Sequence, residues 1–160
     1  MIPRLLITIL AATALWSGTA AASPGNPALL RELNAARAGY GLAPLRADAR
    51  LTHAATRHSR DMVAHQYFAH ESRSGARFSS RIAATGFLRR HGRWWVGKNL
   101  AWGRGPDAAP EAIVRAWLRS PTHRRVVLSA RYRRVGIGVA RGTPAEPAGP
   151  GITYTADFGS

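Results

Sequence analysis

Apolar side chains recur at helical spacing in two stretches of the first half of the chain. The first stretch follows Asn26-Pro27, a favourable cap and first helical position, and is closed by Gly39 or Gly41. The second follows Asp48, a good N-cap residue. The apolar positions are Leu29, Leu30, Leu33 and Ala36 in the first stretch, and Leu51, Ala54, Ala55, His58 and Met62 in the second. These spacings predict two amphipathic helices that each bury one face.

Three shorter helices are predicted later in the chain. Residues 81–84 form a short helical segment that Gly86 stops. The next helix opens with Ala109-Pro110, ends near Trp117 and buries residues 112, 113, 116 and 117. The last opens at Ser120-Pro121, because serine suits the N-cap and proline, which has no N–H, suits the first helical position.

Alternating apolar residues predict strands in the second half of the chain. Residues 96–103 form an extended segment bounded by glycines. Residues 133–140 alternate valine and isoleucine with glycine, which is typical of a strand with one buried face. A loop rich in Pro, Gly and Ala from 142 to 151 leads to a final strand at 152–158. Helices followed by a terminal hairpin predict an α+β fold in which helices cover an antiparallel sheet.

The N-terminal segment has the pattern of a secretory signal peptide. One arginine precedes an apolar run from Leu5 to Trp16, and Ala20-Ala21-Ala22 supplies an A-x-A cleavage site. The run is short for a permanent span, although an uncleaved anchor stays an alternative. We therefore expect a signal peptide at residues 1–22, a linker at 23–28 and one domain at 29–160. The protein is then secreted or periplasmic, with no transmembrane span after cleavage.

The chain is strongly basic and has no cysteine. Its net charge is +15, and nearly all of the positive charge is arginine because Lys98 is the only lysine. On an exported protein such a surface attracts polyanions, which means envelope lipids or cell-wall polymers rather than nucleic acid. A general arginine bias of the source proteome is the alternative explanation. The lack of cysteine excludes disulfides, thiolate catalysis and Cys-ligated zinc.

Two histidines are candidates for a site. His123 lies in the first turn of the last predicted helix, where the positive end of the helix dipole favours a neutral ring. His70 follows Tyr67 and Phe68, which we expect to anchor the turn in the core and hold His70 beside a cleft. The alternative for His123 is a buried histidine bonded to backbone, which is also the preferred interpretation of His58.

A basic and aromatic cluster, LRRHGRWW, spans residues 88–95. Arginine beside tryptophan is typical of a surface that contacts anions, sugars or a membrane boundary. A loop with Trp94 and Trp95 packed beneath it is the simpler interpretation.

Several separated motifs follow one another along the chain. They read LLRELNAARAGYGLAPL, L-x-x-A-A-x-x-H-S-x-D-M, YFAH, GKNLAWG, W-x-x-SPTHR, VGIG and YTADFG. Together they resemble the CAP superfamily, the SCP-like extracellular domains named for cysteine-rich secretory proteins, antigen 5 and pathogenesis-related proteins. The resemblance runs from about Leu29 to Gly159. Within the family, the chain is most similar to the cysteine-free bacterial branch.

The resemblance implies a three-layer α/β/α sandwich with a central antiparallel sheet and an open cleft. In the family the cleft is lined by two histidines and acidic residues, and some members bind a divalent metal there. His70 and His123 match the two histidines. Lys98 stands at the first acidic position, followed by Asn99, and Ser120 stands where many eukaryotic members have the other glutamate. These five residues are therefore the candidate cleft residues.

Lys98 argues against a tightly held metal at this cleft. Its ammonium repels a cation and takes the place of an anionic ligand. We expect no bound cofactor, or at most a weakly held divalent ion such as zinc between His70 and His123. Lys98 either points out of the cleft or binds an anionic group between the histidines, and burial would lower its pKa.

These observations favour a protein that binds over one that catalyses. We expect a small polar, anionic or lipid-like ligand in the cleft, with the arginine surface adding attachment to the envelope. A hydrolase that uses His70 and His123 on a peptide or ester is one alternative, although the chain has no G-x-S-x-G or H-E-x-x-H motif. An interaction module with a vestigial cleft is the other.

Overall fold

The computed structural model describes residues 25–88, 94–145 and 147–160. The predicted signal peptide at 1–22 lies outside these ranges. Within them, no helix has both the length and the apolar composition needed to cross a bilayer. The α-helices are α1 (Pro27–Ala38), α2 (Ala49–Ala64), α3 (Phe78–Ala84), α4 (Pro110–Arg119) and α5 (Pro121–Val127). The strands are β1 (Arg46–Ala47), β2 (Val96–Gly103), β3 (Arg134–Arg141) and β4 (Ile152–Gly159).

Helices α1, α2, α4 and α5 begin where the sequence predicts, whereas α3 begins at Phe78, three residues before the predicted segment 81–84. The Asn26 side chain accepts a hydrogen bond from the Leu29 amide at 3.0 Å. Asp48 accepts from the amides of the first turn of α2 at 2.9 and 3.1 Å. Ser120 has the extended backbone of an N-cap, but its side chain makes no capping bond. The prediction of Ser120 as the N-cap residue is confirmed, and its carbonyl accepts from Arg124 N at 2.8 Å.

The sheet has the strand order β1-β3-β4-β2. β4 pairs antiparallel with both β3 and β2, and the short β1 pairs parallel with β3. β1 lies in a segment that the sequence pattern assigns to a loop. Two backbone bonds hold it there, from Arg46 N to Arg133 O and from Asp48 N to Val135 O, both 2.9 Å. The predicted α+β class is confirmed, with this one parallel strand added to the antiparallel sheet.

Helices cover both faces of the sheet. Helices α2 and α3 lie on one side, whereas α1, α4 and α5 lie on the other. The larger core is built from the second group and the sheet, and its buried members include Leu29, Leu33, Ile113, Trp117, Ile137 and Phe158. The expectation that β3 has one buried face is therefore wrong. Its two internal glycines are buried as well, because α2 packs directly on them.

Gly136 and Gly138 permit this close packing. A Cβ atom on Gly136 would lie 2.0 Å from the α2 backbone at Leu51, and one on Gly138 would lie 2.1 Å from Ala55 C. Any side chain would collide with helix backbone at these positions. The glycines that alternate along β3 are therefore required for contact between the sheet and α2.

Several aromatic side chains that the sequence pattern places in the core lie at the surface. Phe68 is 45% exposed, Trp94 46% and Trp95 52%. Of the predicted anchor pair, Tyr67 is half-buried and donates its hydroxyl to Asp61, whereas Phe68 points outward. The Arg131 guanidinium lies 4.0 Å from the centroid of the Trp95 ring. Trp94 and Trp95 are therefore exposed rather than buried as expected, and residues 89–93 of that cluster lie outside the described ranges.

Candidate functional site

The edge strand β2 separates two of the candidate residues. Because side chains alternate across a strand, Lys98 and Asn99 point to opposite faces of the sheet. Asn99 is buried on the side of α5 and donates from Nδ2 to the His123 carbonyl at 3.1 Å. Lys98 is buried on the side of α3, and its Nζ lies 3.4 Å from the His70 carbonyl oxygen. The two neighbours thus contact the backbones of the two candidate histidines from opposite sides of one strand.

His123 lies in the first turn of α5 and is half-buried. Removal of its ring from water lowers its pKa, which keeps the imidazole neutral at neutral pH. Burial thus acts in the same direction as the helix dipole, which the sequence predicts to favour a neutral ring. Val127, four residues further along α5, is fully buried, so this face of the helix does turn inward as predicted.

His70 is an exposed residue in the loop after α2. Its carbonyl oxygen accepts from Arg81 at 2.6 Å as well as from Lys98. Partial desolvation lowers the pKa of the ring, and the positive charge of Lys98 lowers it further. The charges of His123 and Arg81 act in the same direction, whereas the charge of Glu71 raises the pKa. Both candidate histidines therefore have lowered pKa values, which favour neutral imidazoles.

Lys98 forms a buried pair with its cross-strand neighbour Asp157. The two residues are directly opposite in the β2–β4 register and are 5% and 1% exposed. Burial lowers the pKa of Lys98 to about 7, and the Asp157 charge opposes that change. Burial likewise raises the pKa of Asp157 to about 6, against the effect of Lys98. Because Lys98 is almost fully buried, its ammonium group lies in the interior, next to the backbone of the His70 loop.

His58 supports the same loop from α2. Its ring is buried, and Nε2 lies 2.9 Å from the Ala69 carbonyl, next to His70 in sequence. Desolvation lowers the pKa of His58 to about 3, and the charges of Lys98 and Arg81 act in the same direction. A neutral ring with a proton on Nε2 donates this bond. His58 is thus a core histidine with a structural contact to the site.

Arg37 and Arg81 were not among the residues predicted for the site, yet both hold its loops. Arg37 is fully buried and donates to the carbonyls of Val127 at 2.7 Å and Ser129 at 3.0 Å, where α5 ends. Its position four residues after Leu33, on the apolar stripe of α1, is the signal in the sequence that could have identified it. Arg81 carries no comparable signal, because its bonds to the 70–76 loop depend on the folded loop.

Ser120 joins α4 to α5 and is half-buried. No hydrogen bond joins its hydroxyl to the ring of His70 or His123 within the described part of the chain. The same holds for Ser72, whose hydroxyl accepts from Arg81 at 2.8 Å. The arrangement thus offers two imidazoles without an attached hydroxyl nucleophile.

The donor set around the two histidines does not fit a firmly held metal. In residues 25–88, 94–145 and 147–160, no group of three or more His, Cys, Asp or Glu side chains is placed to hold an ion. Zinc in proteins takes three or four protein ligands. His70 and His123 supply two, and the neighbouring position on β2 carries the buried Lys98 in place of a carboxylate. No chemistry of this site is therefore derived through a metal.

Two solved structures share the fold of this chain. One is an extracellular protein containing an SCP domain from Bacillus anthracis, with a TM-score of 0.65 and 24% identity over 81% of this chain and 38% of that one. The other is an outer surface protein from Borrelia burgdorferi, with a TM-score of 0.66 and 20% identity over 82% of this chain and 89% of that one. At these identities the likeness establishes the fold alone.

Sequence comparison extends the likeness to two proteins of Bacillus subtilis strain 168. The uncharacterized protein YkwD is 31% identical over 105 residues, which are 66% of this chain and 38% of that protein. The uncharacterized membrane protein YlbC is 32% identical over 112 residues, 68% of this chain and 29% of that protein. The chain therefore spans well under half the length of each. The family model "CAP: Cysteine-rich secretory protein family" matches residues 30–149, and this cysteine-free chain belongs to that family.

Proposed function

We propose that this protein is exported to the cell envelope or the medium and acts by binding a small ligand between His70 and His123. The sequence pattern of residues 1–22 supports export. Descriptions of the fold relatives as an extracellular protein and an outer surface protein support it too. Lys98, Asn99 and Ser120 form the surroundings of this proposed cleft.

The observation that carries the proposal is the pair of neutral imidazoles beside the edge strand. Both rings have lowered pKa values and neither is fully buried. Each neutral ring presents one donor and one acceptor nitrogen, so the pair can hold a polar group by directional hydrogen bonds. The backbones that carry both rings are tied down by Asn99 and Arg81. Such preorganisation lowers the entropic cost of binding.

Charge near the cleft favours a ligand with an anionic or electron-rich group. Arg81 and Lys98 both donate to the His70 carbonyl, Lys98 from a buried position and Arg81 from the surface. Their positive potential favours negative charge near the His70 ring, and that of the buried Lys98 is poorly screened by solvent. A phosphate, a carboxylate or the polar head of a lipid-like molecule meets this requirement. The arginine-rich surface adds attraction to envelope lipid or cell-wall polymer.

Native mass spectrometry of the exported protein, recovered from its own compartment, tests the proposal. His70→Ala and His123→Ala are compared with wild type and with His65→Ala, an exposed histidine that ion-pairs with Asp61 at the end of α2. We expect an added mass on wild type and His65→Ala that both site variants lose. The proposal fails if the added mass survives in the site variants, or if wild type carries none.

The same variants separate binding from the two other functions considered. Calorimetric titration with zinc is expected to yield at most weak binding, since two imidazoles leave the coordination shell incomplete. Tight zinc binding that is lost in either site variant would instead identify the cleft as a metal site. Turnover of peptide or ester substrates that depends on His123 would identify a hydrolase.

A further inference from the structure

A groove separate from the histidine cleft runs along α2. It has a volume of about 1290 Å³ and lies between α2 and the segment of residues 72–85, which includes α3. None of the five candidate cleft residues lines it. Alanines line the groove on both walls, and the wall formed by residues 72–85 also carries serines. The groove therefore has room for a ligand of its own, separate from any ligand in the histidine cleft.

One wall of this groove is a stripe of basic residues on α2. The stripe consists of Arg50, His53, Arg57 and Arg60, spaced by three, four and three residues. This spacing places them on one helix face, about 5 Å apart along the axis and about 15 Å from first to last. Arg73 stands on the facing wall. Positive charge thus follows the groove in a line.

The arginines of the stripe are free of acidic partners. Among the described residues, neither Arg57 nor Arg60 nor Arg73 forms an ion pair or a side-chain hydrogen bond, and all three are exposed. The two aspartates in the lining are engaged elsewhere. Asp48 caps α2 and lies 3.7 Å from Arg134, whereas Asp61 binds His65 and Tyr67. The groove lining therefore carries five arginines against two aspartates, which is a net positive charge.

We propose that this groove binds a linear polymer of the polyol-phosphate kind, in which phosphate groups repeat along the chain. Guanidinium groups bind phosphate oxygens in a bidentate manner, and a row of them matches a chain with regularly repeated charges. A groove of about 1290 Å³ between two walls fits a chain better than a flat bilayer surface. No Phe, Tyr or Trp lines its described walls, so the aromatic platform on which nucleic-acid bases stack is missing there.

This inference sharpens the envelope attachment within the proposed function, but it does not depend on the histidine cleft. The groove and the rings of His70 and His123 are separate surfaces. Either one can bind while the other fails. His123→Ala therefore serves below as the variant that disables only the cleft.

Fluorescence anisotropy with a labelled poly(glycerol phosphate) oligomer tests the groove. The variant is Arg57→Gln/Arg60→Gln, whose positions are exposed, so folding is preserved and is checked by circular dichroism. The matched control is Arg115→Gln/Arg119→Gln, two exposed arginines on α4 in the opposite layer, which lowers the net charge equally. We expect the groove variant to raise Kd about tenfold, and the control and His123→Ala to change it less than about twofold.

Further probes identify the ligand class. Wild-type binding should weaken steeply between about 50 and about 200 mM salt, since counterion screening opposes contacts between exposed charges and phosphates. Single-stranded DNA of equal charge and vesicles rich in anionic lipid should bind more weakly than the oligomer. The proposal is overturned if groove and control variants weaken binding equally, which indicates net charge alone. It is also overturned if DNA or vesicles bind as tightly as the oligomer, or if the oligomer does not bind.

Discussion

Replacement of Arg37 by methionine should destabilise the protein more than the same replacement of an arginine at the surface. Arg37 is fully buried on α1, where its Nη1 donates to Val127 O and Ser129 O and its Nε donates to Ala43 O at 3.0 Å. Methionine has similar length and fills the site, but it donates no hydrogen bond. The variant therefore leaves carbonyl groups without partners at the end of α5 and in the loop after α1.

The magnitude follows from these bonds. A hydrogen bond from a charged group contributes about 1.5–3 kcal/mol, and the bonds of one guanidinium are not additive. Because Arg37 donates to several carbonyl groups whose contributions are less than additive, we expect a loss of about 3–5 kcal/mol for Arg37→Met. Arg37→Lys should lie between the variant and wild type, because one ammonium cannot reach all three carbonyl groups.

Urea unfolding followed by tryptophan fluorescence measures this effect. With an m-value of about 2 kcal/mol/M, the midpoint should fall by about 2 M. Arg31→Met is the control on the same helix, since Arg31 is exposed and its ion pair with Glu32 contributes little. The reasoning is refuted if Arg37→Met unfolds within about 0.5 M of wild type, a difference of about 1 kcal/mol.

Three further substitutions test the packing and electrostatics of the fold. Gly138→Ala places a Cβ 2.1 Å from the α2 backbone and should cost about 3 kcal/mol or prevent folding, whereas Gly39→Ala, with no atom nearer than 3.4 Å, should be tolerated in a thermal melt. The pKa of Lys98 is lowered to about 7 in the folded state, so the unfolded chain binds more protons above that pH. The free energy of unfolding should therefore gain a contribution that rises between about pH 7 and about pH 9.5, and Lys98→Met should remove that rise in urea titrations. An equal rise in both proteins would contradict this assignment. Trp117→Phe removes the bond from the buried indole to Leu100 O at 2.9 Å and should cost about 1–3 kcal/mol, whereas an unchanged urea midpoint would mean that the bond contributes nothing.

Helices and strands were predictable from the sequence because their signals are local. Each apolar residue predicted on the second helix, from Leu51 to Met62, is buried on α2. Asp48 caps that helix as its residue type favours. The exceptions depend on distant contacts. The two-residue β1 exists only because β3 lies beside it, and Ala116, expected inside α4, is exposed while Val114 is buried.

The two candidate histidines were identified through motifs that resemble the family, and their role in a site stays a prediction. What could not be predicted is the position of the charged groups around them. Lys98 and Asp157 are 59 positions apart in sequence, and only the pairing of β2 with β4 sets them opposite one another. From the sequence alone, Arg57 and Arg60 are expected on the solvent-exposed side of a helix. Only the folded chain places the segment of residues 72–85 opposite them, as the second wall of the groove.

The sequence by itself determined the positions of most helices and strands, the buried face of the second helix and the family to which the chain belongs. These properties follow from side-chain periodicity and from short motifs, which act over a few residues. The tertiary structure determined that Lys98 is buried beneath the His70 loop, that Arg37 holds the end of α5 and that basic residues line a groove. Those properties depend on desolvation and on contacts between segments far apart in sequence, which exist only once the sheet and its two helical layers have formed.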